Sequence, residues 1–255
     1  MTWLESRTSA LPPIQIGLTL GVLLYLVSLP QSLNMWLVSL FMYAVIGCLG
    51  ISVGYHRLLA HRSFKTHKFW ARLFTLIGGL AGTGSAIGWV GVHLDHHEYS
   101  DAPGDPHSPH QYGAKMLIAD YEYTPNKWSV RRLIVDPFQV FVHRYYFGIL
   151  LVWSVTWAGI GLVFRLPLFE HIVAIPALIS IWVSTVSNYT NHQWGYVSYP
   201  TKDKSRNNWL NALLTFGEGW HNNHHARPGR WNFGHRWWEL DIGAQVVRLI
   251  RTRTR

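Results

Sequence analysis

Three histidines crowd into one short stretch near the C-terminal end of the chain, GEGWHNNHH at 217–225. His221, His224 and His225 stand at positions i, i+3 and i+4, which share one face of a helix, so their imidazoles could converge on one point. Neutral imidazole offers a nitrogen lone pair near physiological pH, which makes histidine a frequent metal ligand. The stretch therefore predicts a helical face that binds a metal ion.

Two further histidine clusters lie upstream. HLDHH at 93–97 repeats the i, i+3, i+4 spacing, and HRLLAH at 56–61 carries two histidines five residues apart. Five residues turn about 140° around an ideal helix, so that pair either serves two metals or spans a helix end. A solitary histidine in NYTNHQWGY completes the set. The nine candidates are His56, His61, His93, His96, His97, His192, His221, His224 and His225.

The number and type of these side chains narrow the metal chemistry. One tetrahedral zinc ion uses about four ligands, so nine imidazoles suit two ions. Imidazole favours zinc, copper, iron or nickel over magnesium or calcium, and the single cysteine, Cys48, lies in an apolar stretch. Nearby carboxylates either accept the free ring N–H groups or are solvated surface charges. These carboxylates are Asp95, Glu98, Asp101, Asp105 and Glu218.

The composition indicates what kind of protein positions these clusters. The 255 residues are 49% hydrophobic and only 14% charged, whereas soluble domains are about 25% charged. Four apolar stretches approach the roughly 20 residues of a transmembrane helix, and short connections join them pairwise. They cover residues 14–33, 35–54, 146–164 and 169–189. The sequence predicts two membrane hairpins.

A fifth apolar run, 69–90, is rich in glycine and contains Arg72. We interpret it as an interfacial or re-entrant helix, because a fifth span would place the first two histidine clusters on opposite sides of the membrane. The predicted fold is an all-α membrane protein with four transmembrane helices. All of 1–255 forms one domain, in which 55–145 and 190–255 build a helical cap around a histidine-rich site for two metals.

The distribution of basic residues predicts the orientation. Of 22 Lys and Arg residues, only Arg165 lies in the two connections on the side away from the histidines. By the positive-inside rule, the metal site and both termini are then cytoplasmic. The net charge of +9 would meet anionic lipid headgroups or an acidic protein partner. The basic residues form no compact patch typical of a nucleic-acid-binding module.

The three clusters, in GYHRLLAHRSFK, HLDHHEYSDAPGDPH and GEGWHNNHH, resemble the three histidine boxes of the membrane fatty acyl desaturases, in the delta-nine (stearoyl-type) branch. The resemblance runs from about residue 35 to about residue 240 and is closest in layout to bacterial or cyanobacterial members. It implies a non-haem di-iron centre held by the nine histidines, with Asn188 reaching one metal through water. It also implies a bent apolar tunnel for the acyl chain and O2-dependent insertion of a cis double bond.

The resemblance also implies partners. Two electrons must come from an external donor, a ferredoxin or a small haem carrier, that docks on the basic face. The acyl carrier is a membrane lipid or coenzyme A. Gly91 and Val92 stand where acyl-CoA members have polar residues, which argues against coenzyme A. Chain-length preference is expected to depend on the residue that closes the tunnel, near Tyr43 or Ala44 on the second span.

Two other functions fit parts of the pattern. Related membrane di-iron enzymes hydroxylate acyl, alkane or carotenoid substrates, and their product carries a hydroxyl group instead of a double bond. A metal transporter would need ligands at membrane depth, which the clustering at one end disfavours. The remaining histidines are predicted to be surface or interfacial residues. They are His67, His107, His110, His143, His171 and His235.

Overall fold

The computed structural model describes residues 11–30, 32–118 and 126–252. These residues contain helices and no β-strand; isolated bridges join Asn207 to Tyr196 and to Trp220. The prediction of an all-helical protein is confirmed for this part of the chain.

The helices are numbered in chain order. The first four are α1 Leu11–Ser28, α2 Leu33–Ala44 with its π-helical continuation Val45–Ala60, α3 Lys68–Gly79 and α4 Ala86–Tyr99. Short elements follow, namely α5 Pro109–Tyr112, a 3₁₀ segment Gly113–Ile118, α6 Arg131–Ile134 and α7 Pro137–Arg144. The last five are α8 Tyr146–Phe164, α9 Ile175–Asn191 after a π-helical turn Glu170–Ala174, α10 Trp209–Leu214, α11 His221–Ala226 and α12 Ile242–Ile250.

Three helices of the described chain are long and apolar enough to cross a membrane, as expected of a membrane protein. They are Leu33–Ala60, Tyr146–Phe164 and Glu170–Asn191, with 28, 19 and 22 residues. The apolar part of α1, Pro13–Ser28, is shorter. It ends before the predicted limit of residue 33 because Leu29 precedes Pro30, and a residue before proline disfavours helical geometry.

The second predicted span, 35–54, continues as a π-helix to Ala60 and carries the first histidine pair. The N–H of His61 donates to the carbonyl of His56 at 3.0 Å, the i to i+5 pattern of a π-helix. This pattern places residues five apart on nearly the same face. His61 also caps the helix end, so the interpretation that the pair spans a helix end is confirmed.

The predicted single helix over 69–90 is wrong, because the chain folds back on itself within that run. α3 ends at Gly79, and α4 begins at Ala86 with Ser85 as its N-cap. Between them Gly82 and Gly84 have φ values of +75° and +103°, a left-handed geometry that glycine adopts without strain. The apolar composition of the run obscured this turn.

α3 packs antiparallel against the π-helical part of the Leu33–Ala60 helix. A Cβ atom on Gly54 would lie 2.7 Å from Cβ of Phe74, and one on Gly50 would lie 2.6 Å from Cα of Gly78. The order of these contacts shows that α3 runs back along the long helix, away from His56. α4 then returns and carries the second histidine cluster to the first, as the interpretation of 69–90 as a non-spanning run required.

We expect Gly50→Val to displace α3, because the new side chain meets backbone and not a flexible side chain. Overpacking of this kind costs about 1–3 kcal/mol, so the thermal unfolding midpoint of the purified protein should fall. Gly17→Val is the matched control, since a Cβ there meets nothing within 4 Å. Equal midpoints for the two variants would contradict the close helix contact.

His171 is fully buried, so its prediction as a surface or interfacial residue is wrong. Its Nδ1 pairs with Oγ of Ser39 at 2.8 Å and its Nε2 with the hydroxyl of Tyr25 at 2.9 Å. Because both ring nitrogens have partners, burial of this polar side chain is not strongly unfavourable. The remaining five histidines outside the clusters are exposed or partly buried: His67, His107, His110, His143 and His235.

Candidate metal centre

The structure brings the nine predicted histidines together in two groups. In each group, one ligand nitrogen from every ring lies within 4.8 Å of the others. The first group takes residues from all three clusters and the second takes residues from two clusters and the end of α9. The first group is His56, His61, His93, His97 and His224, and the second is His96, His192, His221 and His225. The groups are neighbours, since the ring centroids of His97 and His225 are 4.3 Å apart.

The two helices that carry three histidines each, α4 and α11, contribute to both groups. In α4, His93 and His97 belong to the first group, whereas His96 belongs to the second. Positions i and i+4 are about 40° apart around a helix, and position i+3 lies on the other side of i. In α11, His221 and His225 likewise form the i, i+4 pair. The expectation that each i, i+3, i+4 cluster converges on one point is therefore wrong: each cluster is divided between two points.

The nitrogen atoms within each group face one another at short range. Nε2 of His61 lies 2.7 Å from Nε2 of His93, and Nε2 of His224 lies 2.9 Å from that of His56. In the second group, the same atoms of His192 and His221 are 3.0 Å apart. Two nitrogens bound about 2.1 Å from one ion lie roughly 3.0–3.4 Å apart, so the observed spacing is close to that of ligands around a metal.

Two buried ring nitrogens support the interpretation that these groups bind metal ions. Nε2 of His96 and Nε2 of His225 have no hydrogen-bond partner among the described residues. In both rings the other nitrogen, Nδ1, is bound to a carboxylate, so the unpartnered nitrogen points away from it and toward the group. A buried polar atom without a partner is unfavourable. A metal ion in the second group would satisfy both atoms.

Three of the five predicted carboxylates fix histidine rings. Each accepts a hydrogen bond from an Nδ1–H group, which leaves the Nε2 lone pair directed at the centre. The pairs are Glu218 with His56, Asp105 with His96 at 2.9 Å, and Asp101 with His192 at 2.8 Å. The interpretation of these three as ring-orienting groups is supported by this geometry.

The other two predicted carboxylates do not touch a histidine of the groups. Asp95 is buried and accepts hydrogen bonds from Oγ of Ser129 at 2.7 Å and from the N–H of Asn126 at 3.1 Å. It therefore holds the segment before α6 against α4. Glu98 is exposed and is a surface charge.

A fourth ring-orienting carboxylate, Asp203, was missed. Its Oδ2 accepts from Nδ1 of His225 at 2.7 Å, and its Oδ1 accepts from the N–H of Ser205 at 2.9 Å. Asn222 holds the same loop by accepting from the N–H of Tyr199 at 2.9 Å. The sequence signal that this loop packs against α11 was the pair of asparagines between the histidines of α11. Asparagine amides at such positions bind the backbone of the neighbouring segment when they are buried.

Asn223, the second of these asparagines, fixes α11 from the opposite direction. Its side-chain amide donates to the carbonyl of Phe233 at 2.9 Å and to Glu239 at 2.8 Å.

Asn188 lies one helical turn before His192, and its amide donates to the carbonyl of His107 at 3.1 Å. The structure thus places Asn188 beside the loop that carries Asp101 and Asp105.

Burial keeps seven of the nine histidine rings neutral. Burial, together with the neighbouring charge of His56, lowers the pKa of His61 to about 2. Burial, followed by the repulsion of adjacent imidazoles, also holds the pKa of the rings in α4 and α11 well below the usual value. These rings are His93, His96, His97, His221, His224 and His225. Neutral rings keep their lone pairs available to a metal at physiological pH.

Glu218 stays ionised beside these rings. Burial raises the pKa of its carboxyl group, but the charges of Arg57 and His56 outweigh burial and lower the pKa to about 2. Arg57 is itself fully buried; it binds Glu218 and both carboxylate oxygens of Asp241, at 3.0 and 2.9 Å. Its guanidinium lies 3.9 Å from the ring centroid of Phe233. This arginine links the long helix to both ends of the segment that carries the third cluster.

We expect Asp203→Asn to lower the affinity for bound metal by about 10–100-fold, the usual effect of removing a group that orients a metal-binding ring. Asparagine retains the shape of the side chain but removes the charge that binds His225. Competition with a chelator measures the affinity. Glu98→Gln removes the same charge from an exposed position and should bind metal as the parent does; an equal loss in both variants would contradict the role of Asp203.

Comparison with known proteins agrees with this site. Residues 31–250 match the fatty acid desaturase family model. The sn-1 stearoyl-lipid 9-desaturase of Anabaena variabilis is 34% identical over 249 residues, covering 92% of this chain and 88% of that protein. The sn-2 palmitoyl-lipid 9-desaturase of Nostoc sp. (strain 36) is 34% identical, and the match covers 83% of this chain and 76% of that protein.

A third relative is named for a different acyl carrier and a different double-bond position. An acyl-CoA 5-desaturase of Anemone leveillei is 33% identical over 229 residues, covering 84% of this chain and 68% of that protein. The family match spans most of the chain, and the residues that it includes build both histidine groups. The chain therefore belongs to the fatty acid desaturase family and is an oxidoreductase that desaturates fatty acyl chains.

Proposed function

We propose that this desaturase inserts a cis double bond at the delta-nine position of a saturated acyl chain, at a di-iron centre and with O2 as co-substrate. The observation that carries the proposal is the pair of adjacent histidine groups, with four rings held by carboxylates. The 9-desaturase names of two relatives support the position of the double bond.

In this proposal each histidine group holds one iron ion, and Asn188 contributes through water. Bound iron supplies the oxidising power to remove two hydrogens from neighbouring methylene groups. The overall reaction consumes O2, two electrons and two protons and releases two waters. The protein's own side chains fix the position of the rings, exclude water from a buried centre and orient the acyl chain, which is the usual division between cofactor and protein.

We propose a membrane lipid as the acyl carrier, in preference to coenzyme A. The relatives from cyanobacteria are named as lipid desaturases. In addition, Gly91 is buried and Val92 is partly buried and apolar in α4, where a charged coenzyme A headgroup would require polar partners. The acyl chain would enter between the long helices, and Tyr43, packed 5.4 Å from Phe216 by ring centroids, would close part of its path.

We further propose that α1 is a fourth transmembrane helix and that the metal centre and both termini face the cytoplasm. The concentration of Lys and Arg residues on the histidine side supports this orientation. The chain then forms a single domain with a helical cap over the spans. Electrons would come from an external ferredoxin or small haem carrier, and the basic cap surface would attract such an acidic partner.

The test is the fatty acid profile of a host that expresses the protein beside its His225→Ala variant, together with ferredoxin and its reductase. Gas chromatography with mass spectrometry assigns double-bond positions. We expect a new cis-delta-nine monoene that is absent from the variant. A hydroxylated product would instead show the related di-iron hydroxylase activity, and identical profiles in both strains would contradict the proposed role of the site.

A further inference from the structure

An open groove lies on the outer face of α3, away from the histidine groups. Its volume of about 380 Å³ falls within the roughly 300–1,000 Å³ of ligand-binding sites. The apolar side chains of Phe69, Leu73, Leu76 and Phe138 form most of its wall. Its lining is completed by three basic residues, so that the full set is His67, Lys68, Phe69, Arg72, Leu73, Leu76 and Phe138.

The two strongest cations of the groove have no acidic partner. Lys68 and Arg72 are exposed, and neither forms an ion pair with a carboxylate of the described residues. Arg72 lies over the ring of Phe138, with its guanidinium carbon 5.4 Å from the centroid. The groove thus presents two positive charges beside an aromatic and aliphatic wall.

The cations of the groove lie toward the start of α3, and its apolar wall extends beyond them along the helix axis. Lys68 begins α3 and Arg72 lies one turn further on, whereas Leu76 lies two turns from Lys68. α3 runs antiparallel to the long apolar helix, with Gly78 beside Gly50, so its second half lies deeper against the membrane-spanning segment. The groove therefore carries its cations near the histidine end of the protein, beside Phe69 and Phe138, and only apolar side chains toward the middle of the span.

We propose that this groove binds a glycerophospholipid with an anionic headgroup from the surrounding leaflet. The phosphate and headgroup would contact Lys68 and Arg72, and one acyl chain would lie along Leu73, Leu76 and Phe138. Such a lipid has the same order of charge and apolar surface as the groove. A soluble anion would use only the cationic end, which leaves the apolar wall unexplained.

The groove is separate from the desaturation site. Its lining includes none of the nine histidines of the two groups and none of the four carboxylates that orient them. The proposal depends on the membrane location of the Leu33–Ala60 helix and does not depend on the reaction. Lipid binding without turnover therefore tests it independently of the proposed function.

The experiment counts lipids that remain bound to the purified full-length protein by native mass spectrometry. The protein is exchanged into mixed micelles with phosphatidylglycerol or phosphatidylcholine of identical acyl chains. We expect preferential retention of phosphatidylglycerol. In Lys68→Gln/Arg72→Gln this retention should fall about 30-fold, since each basic side chain near an anionic lipid contributes about fivefold to its binding.

Two further variants make the test specific. Lys202→Gln/Arg230→Gln removes the same charge from exposed positions outside the groove and should retain phosphatidylglycerol as the parent does. Leu76→Gln keeps both cations but weakens the apolar wall at a partly exposed residue, and should lower retention. Equal retention of both lipids, equal loss in the control variant, or displacement of phosphatidylglycerol by inorganic phosphate would overturn the proposal.

Discussion

A His224→Ala variant is expected to lose at least about 100-fold in desaturation rate, because the loss of groups that merely orient metal-binding rings already costs about 10–100-fold. His224 is buried, and its Nε2 contacts two other rings of the first group, those of His56 at 2.9 Å and His97 at 3.0 Å. No other residue of α11 belongs to that group. Its removal therefore takes away the whole contribution of the third cluster to the first group.

The measurement combines product formation with iron content per chain. His221→Ala should give a similar loss from the second group, because His221 contacts His192 there at 3.0 Å. Each variant should retain about one of the two proposed ions, since the groups use different rings. His67→Ala, an exposed histidine outside both groups, is the control and should keep both ions. Full iron content in His224→Ala would contradict the assignment of the first group.

Arg57→Met is expected to destabilise the folded protein by about 3–5 kcal/mol, the usual cost of leaving a buried charge without its partner. The variant retains much of the side-chain volume but leaves Asp241, which is almost completely buried, without a cation. Glu218 loses its arginine as well. The expected result is a large decrease in the midpoint of chemical or thermal unfolding in detergent.

Two comparisons isolate the charge effect from lost packing. Arg248→Met, at an exposed position of α12, removes an arginine that forms no ion pair with the described residues and should change the midpoint little. Arg57→Met/Asp241→Asn removes both charges of the pair and should recover part of the loss. If the double variant is less stable than Arg57→Met, the destabilisation comes from packing and not from the unpaired carboxylate.

Much of the candidate site could be predicted because its residues are local in sequence. The spacing within 93–97 and 221–225 fixes the relative directions of the rings once the segments are helical. All nine histidines selected on spacing and resemblance fall in the two groups. Glu218, Asp101 and Asp105 were recognised as candidates because they stand within a few residues of these clusters.

The remainder depends on contacts between distant segments. Asp203 precedes His225 by 22 residues, and only the folded loop brings them together. The hydrogen-bond partners of the buried His171 ring come from α1 and α2, more than a hundred residues away in the sequence. The π-helical geometry that aligns His56 with His61 has no marker in the local composition, and the turn at Gly82 and Gly84 is surrounded by apolar residues that continue a helical pattern.

The carboxylates behind the histidine rings have a consequence for the stability of the protein as a whole. Glu218, Asp101, Asp105 and Asp203 carry four negative charges, while Arg57 and Asp241 balance each other. Two divalent cations would neutralise those four charges, whereas the seven rings with lowered pKa values contribute none. Without such cations, these carboxylates would remain uncompensated in a largely buried region. Binding of the two proposed ions would therefore stabilise the folded protein, so that iron supply would affect how much folded enzyme a cell maintains.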